Sequence, residues 1–350
     1  MEVHKFGGSS FRDKASVLRT ANLIKDLAVD NQIVVVVSAA FGVTSFLIDS
    51  LSSPDSVVEG IRKRHLELCS SEEFEVILDD KLSDLQELIS AYSHGAEELR
   101  DYILSYGERL MVSLLSYLIG AESIMAERFI RTDGVFGDAR INHELTREVA
   151  SSLTWGSVTV VPGYYGVSNA GAVTLLGRSG TDYSATAVAL ALGLHEVHIW
   201  KDVSGFMTAD PRLVPDARTI EELHYDEAEM LSYFGAKILH PLTISAARHG
   251  NLTVRLRDLE SDKGTIISPD SRGRTTCLSY LQEGESIRSS FVEADENALI
   301  YISTTSSSLI PKIFNITHPV SLIHHASGLY LSVPNESLQK VLVDLHSFFY

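Results

Sequence analysis

The chain has 350 residues, a formal charge of −17 and 45% hydrophobic residues. The length favours two domains, since single cores stop growing at about 250–300 residues. The acidic balance argues against nucleic acid or an anionic membrane as a partner, because both are bound through clustered Lys and Arg. The two cysteines, Cys69 and Cys277, form no metal-binding spacing. With no apparent signal peptide and no long apolar run, we expect a cytoplasmic protein.

The N-terminal part follows a β-α-β pattern. Residues 3–6 predict a strand, 12–28 an amphipathic helix and 33–37 a strand buried on both faces. Loops of small residues, 7–10 and 38–44, follow the two strands. Ligands of open α/β sheets bind beyond the carboxyl ends of the strands, so we expect both loops at the functional edge.

The middle of the chain carries a mostly helical, acidic insertion at about 53–120 before the strand pattern returns. The predicted elements that follow are strands at 128–132, 158–161 and 196–200, a hairpin-like run at 171–176, and a helix at 184–192. They predict an open, mostly parallel sheet between helices.

The C-terminal part contains a loop at 206–212, a helical pair within 225–249 and a strand at 252–256. Ser, Asp, Gly and Pro are frequent at 261–276, which we interpret as a linker. Further predicted elements lie at 298–303, 307–316, 320–323, 328–333 and 335–349, the last with Asn335 as N-cap. The predicted domains are 1–260, the linker 261–276, and a small α+β domain at 277–350.

The segment 176–184, Leu-Gly-Arg-Ser-Gly-Thr-Asp-Tyr-Ser, joins an apolar run to a helix. Free N–H groups at a helix start favour an anion. Arg178 adds a guanidinium that pairs with carboxylate or phosphate, and Asp182 adds a charge suited to a cation or amine. A plain glycine turn with Thr181 or Asp182 as N-cap fits the segment equally well.

Several common signatures are absent from the sequence. There is no Walker A loop, no GxGxxG after a strand, no HExxH and no GxSxG. His195 and His198 share one predicted strand and are interpreted as ordinary strand residues. What remains is a set of charged groups near strand ends and loops: Lys5, Glu108, Arg178, Asp182, Lys201, Asp202, Arg212 and Lys237. Phosphoryl transfer needs such an inventory, and the same groups would also fit a site that only holds an anionic ligand.

The sequence resembles the aspartate kinases of the amino acid kinase superfamily. The resemblance rests on motifs in the family's order, namely KFGGSS at 5–10, VSA at 37–39 with Thr44, GER at 107–109, GRSGTDY at 177–183, WKDV at 200–203 through TADPR at 208–212, and FGAKILHP at 234–241. It implies ATP-dependent phosphorylation of the L-aspartate β-carboxylate to 4-phospho-L-aspartate. That reaction is the first step towards lysine (diaminopimelate), threonine and methionine, with Mg²⁺ bridging the phosphates of ATP.

The resemblance also implies roles for single residues. Lys5, Asp182 and Lys237 are the expected catalytic residues, and Ser38, Thr44, Glu108 and Arg178 the expected aspartate pocket. The expected ATP site comprises Lys5, Gly7, Gly8, Ser9, Lys201, Asp202, Met207, Arg212, Lys237 and Ile238. No protein metal ligands are assigned. Taken alone, each has a plainer interpretation: a solvated lysine for Lys5, a helix-surface charge for Glu108, a helix cap for Asp182 and simple packing for Met207.

The C-terminal region departs from the family pattern. Aspartate kinases commonly carry paired ACT modules, whereas 277–350 resembles one, weakly, so control by lysine, threonine or methionine stays open. A homodimer is expected, because a single ACT-like sheet leaves an edge and a face to cover. Two other functions remain: a sister amino acid kinase with a different acceptor, and a catalytically silent ligand-binding subunit.

Overall fold

The fold is seen in a computed structural model. It describes residues 1–51, 57–93, 95–177, 179–233, 238–261, 263–271, 278–281, 297–303, 309–317, 319, 321–325 and 328–350. These form two compact units, Met1–Asp202 and Val203–Tyr350. None of the described helices is both long enough and apolar enough to cross a membrane.

The first unit contains a parallel sheet with helices packed against it. Its elements are β1 (Glu2–Phe6), α1 (Lys14–Leu27), β2 (Ile33–Val37), α2 (Val43–Ser50), α3 (Val57–Leu68), α4 (Glu72–Ala91), α5 (Glu97–Leu104), α6 (Tyr106–Ile119), β3 (Glu122–Ser123), α7 (His143–Ser151), β4 (Val158–Pro162), β5 (Tyr165–Val167), β6 (Val173–Leu175), α8 (Gly180–Ala191) and β7 (Glu196–Lys201). The parallel strands follow the order β3-β4-β2-β1-β7, and β5 pairs with β6 as a separate hairpin. The five residues of β2 are all buried, as expected for a central parallel strand.

The second unit contains β8 (Glu222–Leu223), α9 (Tyr225–Tyr233), α10 (Pro241–His249), β9 (Thr253–Asp258), β10 (Gly264–Ile267), β11 (Leu278–Leu281), β12 (Asn297–Ile302), α11 (Ile310–Thr317), β13 (Ser321–His325), β14 (Gly328–Pro334) and α12 (Leu338–Phe349). Four strands form an antiparallel sheet in the order β11-β12-β14-β13. Its core includes Ile300, Leu331 and Leu342 together with Ala209 and Val214 from the loop before β8. The C-terminal sheet and that loop therefore share one hydrophobic core.

The predicted fold class is confirmed: a mostly parallel sheet flanked by helices, plus a small antiparallel sheet with helices. The structure corrects three local predictions. Residues 128–132 form no strand, because Arg131 and Thr132 make only isolated bridges after a 3₁₀ turn at Ala126–Arg128. The predicted linker contains β10, which pairs antiparallel with β9. Asn335 lies in a 3₁₀ turn after Pro334 and does not cap α12.

Candidate active site

Two lysines share one buried carboxylate at the carboxyl ends of β1 and β7. Lys5 Nζ lies 2.6 Å from Asp182 Oδ1, and Lys201 Nζ lies 2.8 Å from Asp182 Oδ2. Asp182 is in the first turn of α8, and its side chain is 1% exposed. Adjacent parallel strands end at the same edge of a sheet, which brings Lys5 and Lys201 to the first turn of α8.

Burial and the two ammonium groups oppose each other in this cluster. Burial acts to raise the pKa of Asp182, but Lys201 and Lys5 outweigh it and hold the pKa at about 2. Burial lowers the pKa of Lys5, and the charge of Asp182 opposes that shift. Asp182 is therefore ionised throughout the physiological range, and its negative charge stabilises the ammonium groups of Lys5 and Lys201 at the end of the sheet.

The loop after β1 approaches Lys5 closely. A Cβ at Gly7 would lie 3.1 Å from Lys5 Nζ, and a Cβ at Gly8 would lie 3.3 Å from the Ala39 carbonyl oxygen. Ser9 follows in a 3₁₀ turn, Gly8–Phe11. Glycine at 7 leaves space beside the ammonium group, and a loop of this kind offers backbone N–H groups to an anion.

Glu108, in the first turn of α6, is a buried carboxylate with one free oxygen. Its Oε1 accepts the Ala39 N–H at 3.0 Å and its Oε2 has no hydrogen-bond partner. Burial raises the pKa of Glu108 to about 8, against the hydrogen bond from Ala39 and the charge of Lys5. An unsatisfied buried carboxylate oxygen is costly unless a cation or donor completes it.

The loop after β2 supports Glu108. The Ser38 side chain acts against burial by lowering the pKa of the Glu108 carboxyl, and Thr44 is the second residue of α2, just beyond the loop. Gly107 permits the contact, since a Cβ there would lie only 2.7 Å from Ala39 Cβ. The structure thus places Ser38 near Glu108 and Thr44 on the adjoining helix, and their roles in an aspartate pocket remain predictions.

The segment before α8 is tightly constrained. Gly177 has φ +80°, and Ser179, the N-cap of α8, has φ 62°, a left-handed conformation unusual for serine. Asp101 Oδ2 accepts the N–H groups of Gly137 and Leu175 at 2.7 and 3.0 Å, tying α5 to the strand end. Arg178, the predicted carboxylate clamp, lies outside the described residues. Asp182 is not the N-cap of α8, because that position belongs to Ser179.

Other predicted nucleotide residues are spread over both units. Asp202 ends the first unit, half exposed and 3.4 Å from Arg12 Nη2. In the second unit, Met207 and Ile238 are partly buried, and the exposed Arg212 pairs with Asp210 at 2.6 Å. Lys237 lies outside the described residues. The nucleotide roles of these residues remain predictions.

A histidine pair lies on β1 and β7, and one member is His198, which the sequence pattern presents as an ordinary strand residue. His4 and His198 are register neighbours with rings stacked at 4.5 Å, and each hydrogen-bonds the glutamate two residues earlier, Glu2 at 2.9 Å and Glu196 at 3.0 Å. The repeated Glu-x-His spacing was the available signal. Glu2, His4 and His198 have a metal-like donor set. However, Trp200 donates its N–H to His4 Nδ1 at 3.2 Å, which leaves the proton on Nε2, the atom a metal needs.

Residues 1–258 match the family model described as the amino acid kinase family. The chain therefore belongs to the amino acid kinase family.

Within that family, the chain resembles several aspartokinases. Aspartokinase 2, chloroplastic, of Arabidopsis thaliana is 34% identical over 295 residues, covering 76% of this chain and 54% of the plant protein. The aspartokinase of Bacillus sp. (strain MGA3) is 28% identical, covering 99% of this chain and 78% of its own length. The chain thus spans about half the length of the plant relative.

Solved structures share the fold. E. coli aspartokinase III in complex with aspartate and ADP superposes with a TM-score of 0.81 at 23% identity, covering 99% of each chain. Clostridium acetobutylicum aspartate kinase gives a TM-score of 0.82 at 20% identity, covering 100% of each chain. At these identities the likeness establishes the fold alone.

Proposed function

We propose that this chain is an aspartate kinase, which transfers the γ-phosphoryl group of ATP to the β-carboxylate of L-aspartate. The observation that carries the proposal is that two groups of opposite charge, a pair of lysines and a carboxylate, lie near each other at one edge of the sheet. Lys5 and Lys201 provide positive charge, and Glu108, close enough to feel the charge of Lys5, is a buried carboxylate with a free oxygen. This arrangement suits the phosphates of ATP next to the lysines and the α-ammonium group of an amino acid next to Glu108.

In this proposal the residues of the chain bind and orient both substrates. Lys5, Lys201 and the N–H groups of Gly7, Gly8 and Ser9 hold the phosphates, and Asp182 fixes both ammonium groups. Glu108 and Ser38 receive the α-ammonium group of aspartate, Thr44 borders the pocket, and Arg178 pairs with the α-carboxylate. The attacking β-carboxylate is already ionised, so the transfer requires no general base.

Phosphoryl transfer from ATP also implies Mg²⁺, and the chain has a suitable oxygen donor. Both oxygens of Asp182 face lysines, whereas Asp202 is half exposed and, among the described residues, forms a long ion pair with Arg12 at 3.4 Å. Mg²⁺ on ATP takes few protein ligands, so of these two described carboxylates Asp202 would fit it. When bound, the ion neutralises charge on the β- and γ-phosphates.

The other nucleotide residues extend the proposal to the second unit. The family resemblance supports nucleotide-binding roles for Met207, Arg212, Lys237 and Ile238, and a catalytic role for Lys237. We further propose that the product, 4-phospho-L-aspartate, enters lysine, threonine and methionine synthesis, and that the enzyme acts as a homodimer in the cytoplasm.

The test is ADP release from the purified full chain with ATP and Mg²⁺, with L-aspartate, glutamate, acetylglutamate or carbamate as acceptor. We expect turnover with aspartate, and an acyl phosphate that hydroxylamine traps as the hydroxamate. Lys5→Met should abolish it while Lys14→Met, an exposed lysine on α1, should not. Turnover with another acceptor only would reassign the chain to a sister kinase. Binding of ATP and aspartate without transfer would make it a silent subunit.

A further inference from the structure

The side chain of Arg109 is enclosed by aromatic rings and one carboxylate. Its Cζ lies 4.7 Å from the ring centroids of both Tyr102 and Tyr165, and 5.7 Å from that of Tyr106. It forms an ion pair with Glu127 and is 12% exposed. We call Tyr102, Tyr106, Tyr165 and Glu127 the Arg109 cage. Two rings at equal distance suit a flat guanidinium, because cation–π contacts favour its planar stacking.

The Arg109 cage joins four separate elements. Tyr102 belongs to α5, Tyr106 starts α6, Tyr165 starts β5 and Glu127 lies in the 3₁₀ turn at Ala126–Arg128. Two further hydrogen bonds close it: Tyr165 donates its hydroxyl to Glu127 at 3.0 Å, and Arg109 Nε donates to Ser105 Oγ at 2.8 Å. The guanidinium is therefore fixed relative to the body of the first unit.

Glu108 is the residue directly before Arg109 in the first turn of α6. Consecutive helical side chains point about 100° apart. Glu108 therefore holds the turn on the side of Ala39, and Arg109 holds it on the side of the cage. The position of the free Oε2 of Glu108 therefore depends on how firmly the first turn of α6 is fixed. Rotation of the turn about the helix axis would displace that oxygen.

We infer that Arg109 is a positioning residue, which orients Glu108 to receive the ammonium group of the amino acid substrate. The inference rests on the proposed function. It assigns to Arg109 a role in the amino-group side of substrate recognition and none in binding ATP. Lysine cannot replace it, since a tetrahedral ammonium group does not stack flat between two rings.

The test compares Arg109→Lys with the wild-type full chain. We expect the KM for L-aspartate to rise roughly 10- to 100-fold, as for a misplaced binding group, with the KM for ATP unchanged. Succinate, which is aspartate without the amino group, is tested as an inhibitor against aspartate. Its inhibition constant should not change, because it has no ammonium group to pair with Glu108.

Two further variants separate positioning from stability. Arg62→Lys alters an arginine paired with Asp79 and Glu75 on the surface, and should leave all constants unchanged. Tyr102→Leu removes one wall of the cage and keeps Arg109, so it tests the inference if Arg109→Lys does not fold. It should raise the KM for aspartate by a smaller factor.

The outcomes are distinct. A folded Arg109→Lys variant with an unchanged KM for aspartate overturns the inference and leaves the proposed function intact. An equal loss of aspartate and succinate binding also overturns it, since that marks general disruption of the pocket. A wild-type chain that neither binds nor phosphorylates aspartate overturns the proposed function, and this inference with it.

Discussion

The ammonium group of Lys5 lies 2.6 Å from the carboxylate of Asp182, and both side chains are almost fully buried. Charge that is already paired and desolvated needs little reorganisation when phosphate arrives. The pair also makes the protonation of Lys5 depend on Asp182, because only neighbouring carboxylates oppose the burial that lowers the pKa of Lys5.

Asp182→Asn should therefore reduce kcat by roughly 100-fold or more, as expected for loss of fixed electrostatic support. Without Asp182, burial and Lys201 lower the pKa of Lys5 further. As pH rises, Lys5 loses its proton and activity falls. In the variant this alkaline fall in the residual activity should begin at a lower pH than in the wild type. Steady-state kinetics across pH measure this effect, with Asp79→Asn on the surface as the control. A variant with a wild-type alkaline limb would contradict the assigned coupling.

Aspartate recognition should improve as pH rises towards 8. Burial raises the pKa of Glu108 to about 8, so below that pH its carboxyl is mostly protonated and cannot pair with an ammonium group. The value of kcat/KM for aspartate should rise about tenfold per pH unit below the pKa and then level off. Glu108→Gln should lose this limb and raise the KM for aspartate, whereas Glu59→Gln should change neither. A flat wild-type profile would rule out the pairing.

The same burial makes Glu108 unfavourable for stability at alkaline pH. Its folded-state pKa of about 8 lies above the ordinary value of 4.5, so the folded chain binds more protons between these values and loses stability as pH rises. Glu108→Gln should be more stable than the wild type at about pH 9, by a few kcal/mol. At about pH 4 the two should differ little. Urea unfolding at both values measures the difference, and equal stabilities at pH 9 would be incompatible with a buried, ionising Glu108.

Gly107→Ala tests the close approach of α6 to the loop after β2. Alanine favours a helix over glycine by about 1 kcal/mol, but its Cβ would lie 2.7 Å from Ala39 Cβ. Overpacking costs about 1–3 kcal/mol, so we expect net destabilisation and a raised KM for aspartate. Ala39→Gly removes the opposing Cβ, and the double variant should recover. Thermal unfolding of the single and double variants measures these changes in stability. If the changes in the two single variants simply add in the double variant, the clash is excluded.

Ser179→Gly should stabilise the chain by about 0.5–1 kcal/mol, since Ser179 has φ 62° and glycine adopts this conformation without a Cβ penalty. The control is Ser83→Gly in the body of α4, which should destabilise by a similar amount. Denaturant unfolding of both variants gives the comparison. Loss of stability in Ser179→Gly would show that interactions of the serine side chain outweigh the cost of its left-handed backbone conformation.

The sequence by itself determined most of the fold of the first unit. The β-branched run at 33–37 and the small-residue loops after the first strands are local signals, and they predict buried parallel strands with a functional edge. Motif resemblance predicted Lys5, Glu108 and Asp182 as site residues, and their roles remain predictions. Local patterns were insufficient at 264–267, where pairing with β9 makes a strand from a segment that reads as a linker.

Only the tertiary structure decided how these residues meet. Lys5 and Asp182 are 177 positions apart, and no local pattern shows that one carboxylate holds two lysines. The cage around Arg109 likewise draws its members from four elements whose packing is set by the whole core. Secondary structure follows from neighbours along the chain, whereas the charge, burial and pKa of a site follow from neighbours in space.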